Sequence, residues 1–479
     1  MTIDRQQPVP LYFQLKMLLT EEILEGKYGP GDRLPTEHEL CEHFQISRTP
    51  VAKALTELAD EGVVLRHRRR GTFVNPHWLR RQGQPELRVI VPEGPWADQI
   101  RKAAPDTMTL SLVEVALPEL HRTVTHAVGE GHAPDLAVLD SVWVREFAAA
   151  AFLLAIEELD PVWIEDVYLA DFLEPFLTAN RHAGRTYAIQ AEADVAGMWI
   201  RRSAVRAVGH DLPATWGDVA AVAHALTASG LAPPIALPGG RRAGETTTYC
   251  LLALLAANGA HVLRDTRVTL NDPASVETLT FLRGLVESGA VEPTAASYEW
   301  DQPIRMLAEG RVAIALGGSY DAQVLADAGG VPLASVLEEF AFLPMPAGPR
   351  NRPATLAGGM VFAVFRQAAL PGLAMQLLRR LTTPEALASA AMATAQIPPR
   401  SAAVDLVAGK LPLIAETAAM LPNAVHRPQL ATYPQIATQL QSMLEAVLIG
   451  LRSPADAVAR TAEMIAAITG WPSNHDPLP

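Results

Sequence analysis

Cysteine is nearly missing: Cys41 and Cys250 are the only two in 479 residues, far apart in sequence. That excludes a disulfide framework or a cysteine-built zinc site as the organising device. Long apolar runs are missing too. No stretch approaches the ~18 uninterrupted apolar residues of a membrane span. Asp4 and Arg5 lead into an amphipathic stretch, not into the apolar run of a signal peptide. The expected setting is the cytoplasm, with no membrane partner. Lysine is scarce after Arg81, where only Lys102 and Lys410 remain. Lys102 stands beside Arg101 and Lys410 lies in a Gly-Lys-Leu-Pro loop, so neither suits a Schiff base to pyridoxal phosphate. Gly-x-Ser-x-Gly, His-Glu-x-x-His and phosphate-loop motifs are also absent. No catalytic residue, cofactor or metal is expected, and the chain does not read as an enzyme.

What is present is globular: 49% hydrophobic and 19% charged residues, in a length that calls for two or three domains. The net charge of −13 is unevenly placed. Through Arg80 there are 11 basic and 11 acidic side chains, so the remaining 28 basic and 41 acidic ones carry all of it. A local basic cluster (Arg66, Arg68, Arg69, Arg70, Arg80, Arg81) on an acidic whole fits a protein that grips nucleic acid with one small module.

The first 75 residues spell out such a module. Leu11, Leu15, Leu18, Leu19, Ile23 and Leu24 recur at helical spacing, and Gly29-Pro30-Gly31 ends the run. Thr36-Glu37-His38-Glu39 is a capping box for a short helix through Phe44. Gln45-Ile46 makes a tight connection, and Ser47 is expected to cap a third helix running to about Asp60, with Pro50 in its first turn. Gly62 ends that helix. Val63-Val64-Leu65 and Thr72-Phe73-Val74 then read as strands of a hairpin. This is the layout of a winged helix-turn-helix. The start of its recognition helix (Ser47, Arg48, Thr49, then Lys53) would face base edges, with Arg48 able to hold guanine in a bidentate pair. Arg68, Arg69 and Arg70 at the wing would lie along or inside a minor groove.

Pro10-Leu11-Tyr12, Gly31-Asp32-Arg33-Leu34-Pro35-Thr36-Glu37, Ser47-Arg48-Thr49, and Glu61-Gly62-Val63-Val64 with Gly71-Thr72-Phe73-Val74 together resemble the GntR family of bacterial regulators. The resemblance implies DNA contacts by Arg33, Arg48, Thr49 and the wing at Gly71 and Thr72. It also implies a homodimer on a palindromic double-stranded operator. His38 and Ala52 stand where many members carry arginine; His38 is counted with the DNA-facing residues.

Residues 76–86, with Pro76, Gly83 and Pro85, read as a linker, and 472–479 as a disordered tail. Between them, strand-like runs at 87–91, 110–115 and 136–139 alternate with helical stretches, as parallel βαβ units do. Ala133-Pro134-Asp135-Leu136 with Asp140-Ser141, Gly184-Arg185-Thr186-Tyr187-Ala188-Ile189, Gly197-Met198-Trp199-Ile200-Arg201 and Thr215-Trp216-Gly217-Asp218 come first. Glu245-Thr246-Thr247-Thr248, Ala308-Glu309-Gly310-Arg311, Gly317-Gly318-Ser319-Tyr320 and Leu356-Ala357-Gly358-Gly359 follow in order. Collinear over nearly all of 87–470, they resemble an extracellular solute-binding protein of the maltose-binding type.

The fold class implied is α/β: a winged helix-turn-helix followed, over 87–471, by a bilobed periplasmic-binding-protein-like domain that closes on a ligand without turning it over. The resemblance places Trp143, Gln190, Glu192, Asp194, Glu245, Tyr298, Trp300, Asp301, Ser319 and Tyr320 near the cleft, where Gly358 and Gly359 would let backbone approach the ligand. Trp199 and Trp216 belong to the core. Glu192 and Asp194 read either as ligand contacts or as solvated hinge residues. The expected effector is a sugar or oligosaccharide that modulates operator binding. The alternatives are an amino acid, polyamine or peptide in the same clamp, or, less well supported, an enzyme fused to the DNA-binding module.

Overall fold

The structure, a computed structural model, describes residues 3, 10–24, 26–67, 70–76, 78, 86–407 and 409–473. Its contacts divide it into an N-terminal unit and a much larger second one.

In the first unit, α1 (Leu11–Leu24), α2 (Glu37–Phe44) and α3 (Arg48–Asp60) precede a hairpin of β1 (Val64–His67) and β2 (Gly71–Val74). Leu15, Leu19, Leu40, Val51, Leu55, Leu58 and Val74 close its core. The capping box at α2 forms as the sequence predicts: Thr36 accepts from the Glu39 amide at 3.3 Å, and the Thr36 amide donates to Glu39 at 2.7 Å. Gln45 ends α2 in the left-handed region at φ 55°, which makes the turn into α3 tight. The hairpin gains a third edge: the Leu34 amide donates to the Thr72 carbonyl at 2.9 Å, and Arg33 bridges to Phe73. Trp78, within the expected linker, packs on this core; residues 77 and 79–85 of that linker lie outside the described residues.

The second unit holds two sheets. In chain order its elements are β3 (Glu86–Pro92), α4 (Trp96–Ala103), β4 (Thr109–Val115), α5 (Leu117–Gly129), β5 (Leu136–Asp140), α6 (Val144–Ala149), β6 (Ile189–Gln190) and β7 (Asp194–Arg201). Then come α7 (Trp216–Ala228), β8 (Ile235–Ala236), α8 (Glu245–Ala257), β9 (Ile314–Gly318), β10 (Phe340–Leu343), β11 (Ala357–Gly358), β12 (Met360–Val364), α9 (Pro371–Leu381), α10 (Tyr433–Leu448) and α11 (Pro454–Thr469). Shorter helices and hairpins fill the gaps.

The first lobe is built on the sheet β4-β3-β5-β12-β6, and the second on β8-β9-β7-β10 with β11 also pairing β7. β3 and β5 run parallel, as the βαβ pattern requires, while β12 returns antiparallel to β5. The apolar runs of β5 and β7 are buried on both faces, which is why neither alternates with polar residues. Trp199 fills the second core and donates to the Gly318 carbonyl at 2.8 Å; Trp216 stacks on Phe281 at 4.5 Å.

The chain crosses between the lobes at three places that touch one another. It leaves β6 at Gln190 and enters β7 at Asp194. It returns from β11 through Gly359 to β12, and crosses again near Ile397, whose amide and carbonyl pair with Ala193 at 2.9 and 2.8 Å. At the far end, Pro472 accepts from the Val268 amide at 3.0 Å and Ser473 from Arg267 at 2.6 Å, so the first two residues of the expected tail pack on the second unit. Residues 474–479 lie outside the described residues. No helix among the described residues is long and apolar enough to cross a membrane.

Candidate functional site

In the first unit, Ser47, Arg48, Thr49 and Lys53 all stand exposed on α3, as the helical spacing dictates. Ser47 holds the N-cap position, yet its hydroxyl makes no capping bond, which corrects that expectation. Arg48 and Arg66 converge on one carboxylate: Arg48 Nε donates to Glu37 Oε2 at 3.0 Å and Arg66 donates to Glu37 Oε1 at 2.7 Å. Nothing in the local sequence marks Glu37 for this role. Exposed ion pairs of this kind are weak, so a phosphate or a guanine edge can displace Glu37 at small cost. The Lys53 ammonium lies 3.7 Å above the Tyr12 ring. A Cβ at Gly71, whose φ is +115°, would come within 2.7 Å of Arg33 Nε, so glycine is what admits Arg33 across the wing. Thr72 holds Leu34 through its carbonyl, His38 is exposed beside Glu42, and Arg70 is exposed. Arg68 and Arg69 lie outside the described residues.

In the second unit, the crossing segments gather the charge. Glu245 begins the buried helix α8, an acid in a first turn where the helix dipole favours it. Its Oε1 accepts from Arg427 Nε at 2.7 Å and from the Tyr433 hydroxyl at the start of α10. Asp194, opening β7, accepts the Tyr249 hydroxyl through Oδ1, and the Arg427 guanidinium lies 4.8 Å over the Tyr249 ring. Tyr320 stands 6.1 Å from Tyr249, ring to ring. A Cβ at Gly358 would come within 2.8 Å of Asp194 Oδ1 and 2.9 Å of an Arg427 nitrogen. At Gly359, with φ +132°, it would overlap the Glu192 carbonyl.

The electrostatics follow from burial. Glu192 is pushed up to about 8 by burial and then by Asp194. Burial also raises Glu245, to about 7, against the pull of Arg427. Asp194 goes up to about 6 for the same reason, held back by the Tyr249 hydroxyl and by Arg427. Asp140 is raised by burial, with Arg427 opposing. For Arg427, burial acts to lower the pKa, but Glu245 and Asp140 outweigh it and keep the guanidinium charged. Between the lobes lies a cavity of about 30 Å³ lined by Ser141, Arg145, Gly358, His426, Arg427 and Tyr433, among others.

Of the residues the sequence singles out, Glu192, Asp194, Glu245, Tyr320, Gly358 and Gly359 therefore come together. The others do not join them in the same way. Gln190 lines the cavity, but its amide is committed: it donates to the Glu192 carbonyl at 2.8 Å and accepts from Asn180 at 3.0 Å. Ser319 is buried and accepts from the Val195 amide at 3.2 Å. Tyr298 is buried and donates to Glu292 at 3.0 Å. Asp301 pairs with Arg305, and Trp300 is exposed beside Glu299. Trp143 packs against His121 and Phe147 of the first lobe. The residues missed are Asp140, Tyr249, Arg427 and Tyr433. Asp140-Ser141 carried part of the resemblance, whereas Arg427 offered no signal beyond a charged residue in a loop between apolar helices. No group of three His, Cys, Asp or Glu among the described residues could hold a metal ion.

Comparison with known proteins agrees with this architecture. Residues 102–388 match the family described as bacterial extracellular solute-binding protein, and residues 11–74 match the bacterial regulatory proteins of the gntR family. The uncharacterized HTH-type transcriptional regulator YurK of Bacillus subtilis (strain 168) is 45% identical over 80 residues, 17% of this chain and 33% of that one. The chain thus spans about a third of the length of the curated regulators it first matches. A putative binding protein of Brucella abortus (strain 2308) is 22% identical over 397 residues, 79% of this chain and 91% of that one.

Among solved structures, an ABC transporter solute binding protein of Thermotoga lettingae bound to α-D-tagatose superimposes with a TM-score of 0.72 at 21% identity, covering 80% of this chain and all of that one. Maltose-bound MalE3 of T. maritima also reaches 0.72 at 21% identity, over 80% and 99%. The chain belongs to the bacterial extracellular solute-binding protein family and carries a GntR-type helix-turn-helix domain at its N-terminus.

Proposed function

We propose that the protein is a ligand-responsive transcriptional regulator of the cytoplasm. Its winged helix binds a palindromic double-stranded operator as a homodimer, and its solute-binding unit senses a saccharide without turnover and modulates operator affinity. The supporting observation is the way the cleft carboxylates are held. Glu245 and Asp194 each have one oxygen pinned by a phenol or guanidinium, and the other accepts nothing among the described residues. Fixed acceptors with an open lone pair suit sugar hydroxyls, which donate and accept at close spacing. A polyamine would instead meet the like charge of the Arg427 guanidinium, already seated on Glu245. Two fold relatives hold tagatose and maltose, which adds support.

Thermal unfolding against saccharides, amino acids and polyamines tests the reading. A saccharide at 100 times its dissociation constant stabilises the unit it binds by about 2.7 kcal/mol, and the sensor's transition rises by degrees. A shift produced by amines or amino acids alone would contradict the sugar assignment.

A further inference from the structure

Arg145 is set apart by its place on the inter-lobe cavity. It sits on α6 of the first lobe, half-buried, and its guanidinium reaches the loop 425–430 of the second. Nε donates to Gln429 Oε1 at 2.8 Å, and the terminal nitrogens donate to the Gln429 carbonyl and the Thr178 carbonyl, each at 3.2 Å. All three acceptors are neutral. Among the described residues Arg145 makes no ion pair, whereas Arg427 has Glu245. Burial lowers the Arg145 pKa with no acid opposing it.

Arg145 and Arg427 line the same inter-lobe cavity, and no carboxylate lines it. Behind that wall Glu245 gives Oε1 to Arg427 and Tyr433, and Asp194 gives Oδ1 to Tyr249, so each keeps one carboxylate oxygen for ligand hydroxyls while Arg145 has no acid among the described residues. A cation drawn out of water without a counter-ion is destabilising unless an anion arrives to meet it. A guanidinium has five N–H donors, and three bonds to neutral acceptors leave donors for a bidentate approach.

Resting on the saccharide reading above, we infer that the ligand is an acidic saccharide whose anionic group, a carboxylate or a phosphate ester, docks on Arg145 beside Arg427, while its hydroxyls meet Asp194 and Glu245. Arg145 would then set specificity and also link the lobes through Gln429, so that the group that recognises the ligand is the one that holds the cleft shut.

The test is calorimetric titration of the full-length protein with matched sets: neutral hexoses, the corresponding uronates, the corresponding 6-phosphates, and inorganic phosphate. The anionic member of the recognised set should bind at least ~10-fold more tightly than its neutral parent, and whether uronate or phosphate does so identifies the source of the charge. In Arg145→Gln that preference should shrink toward parity. In Arg145→Lys, which keeps the charge and guards against a mere folding defect, part of it should return. A neutral parent that binds as well as both derivatives would overturn the inference and leave the saccharide reading standing. If inorganic phosphate binds and no sugar of any set does, the saccharide reading falls and the inference with it.

Discussion

Arg427 donates through Nε to Glu245 at 2.7 Å although 182 positions separate them in the chain. The contact joins the loop before α10 to the first turn of α8, and the remaining partners, Tyr433 on Glu245 and Tyr249 beneath the guanidinium, lock both side chains in place. One pair thereby fixes the geometry of the cleft's second-lobe wall.

Replacing Arg427 with methionine would leave the Glu245 carboxylate without its cation. Loss of a partner from a well-buried pair costs about 3–5 kcal/mol, and since Glu245 keeps 26% of its side-chain surface, about 2–3 kcal/mol is expected here. Urea denaturation would read the loss. Adding Glu245→Gln to the methionine variant should recover part of it, because the two residues form one unit.

At Gly358 the expected effect is on binding more than on folding. The methyl group of Gly358→Ala would press on side-chain atoms of Asp194, Arg427 and Tyr249, the groups that shape the cleft wall, and not on backbone. Saccharide affinity should fall about tenfold or more, while the stability loss stays within the ~1–3 kcal/mol of an overpacked site. Gly359→Ala, which meets backbone at a positive φ, should destabilise more than Gly358→Ala. Calorimetry and denaturation of the two variants side by side separate these outcomes.

The pH dependence follows from Glu192, Glu245 and Asp194, raised to about 8, 7 and 6 by burial. A carboxyl whose pKa is higher in the folded state makes the folded chain bind more protons than the unfolded one. Its stabilisation is complete below the ordinary carboxylate range and is lost as pH rises through the folded value. The melting temperature of the second unit should therefore fall from about pH 4 to about pH 8, with a shallower fall in Glu192→Gln. An unchanged slope in that variant would contradict the assignment of Glu192.

How much of this was legible depends on how local each feature is. The capping box Thr36/Glu39 was readable because both partners lie within one turn. The βαβ rhythm was readable because strand and helix differ in apolar period. The cleft was readable only in part. Glu192, Asp194 and Glu245 lie in segments that resemble a known family, but Arg427 and Tyr433 acquire their roles from a helix start more than 180 residues away. Ser319 and Tyr298 show the opposite case. A polar residue in a loop-like stretch looks ligand-ready, yet a buried polar group must find a partner, and here the partner is protein.

On the DNA-facing side, Arg48→Ala should weaken binding to the operator by about 1–3 kcal/mol and relax sequence preference at one base pair. Arg70→Ala should weaken all sequences alike and flatten the salt dependence by about one unit of slope. Glu37→Gln, which releases Arg48 and Arg66 from their shared carboxylate, should tighten binding modestly. Fluorescence anisotropy on a selected duplex across a salt series checks all three.

The central claim is that one chain couples a sugar to DNA, and the direct measurement is operator affinity of the intact protein with and without a saturating saccharide that has been shown to bind. The account predicts a change of about 5- to 150-fold, in either direction, with the reciprocal change in sugar affinity when operator is present. Equal operator affinity with the cleft empty and full would contradict it.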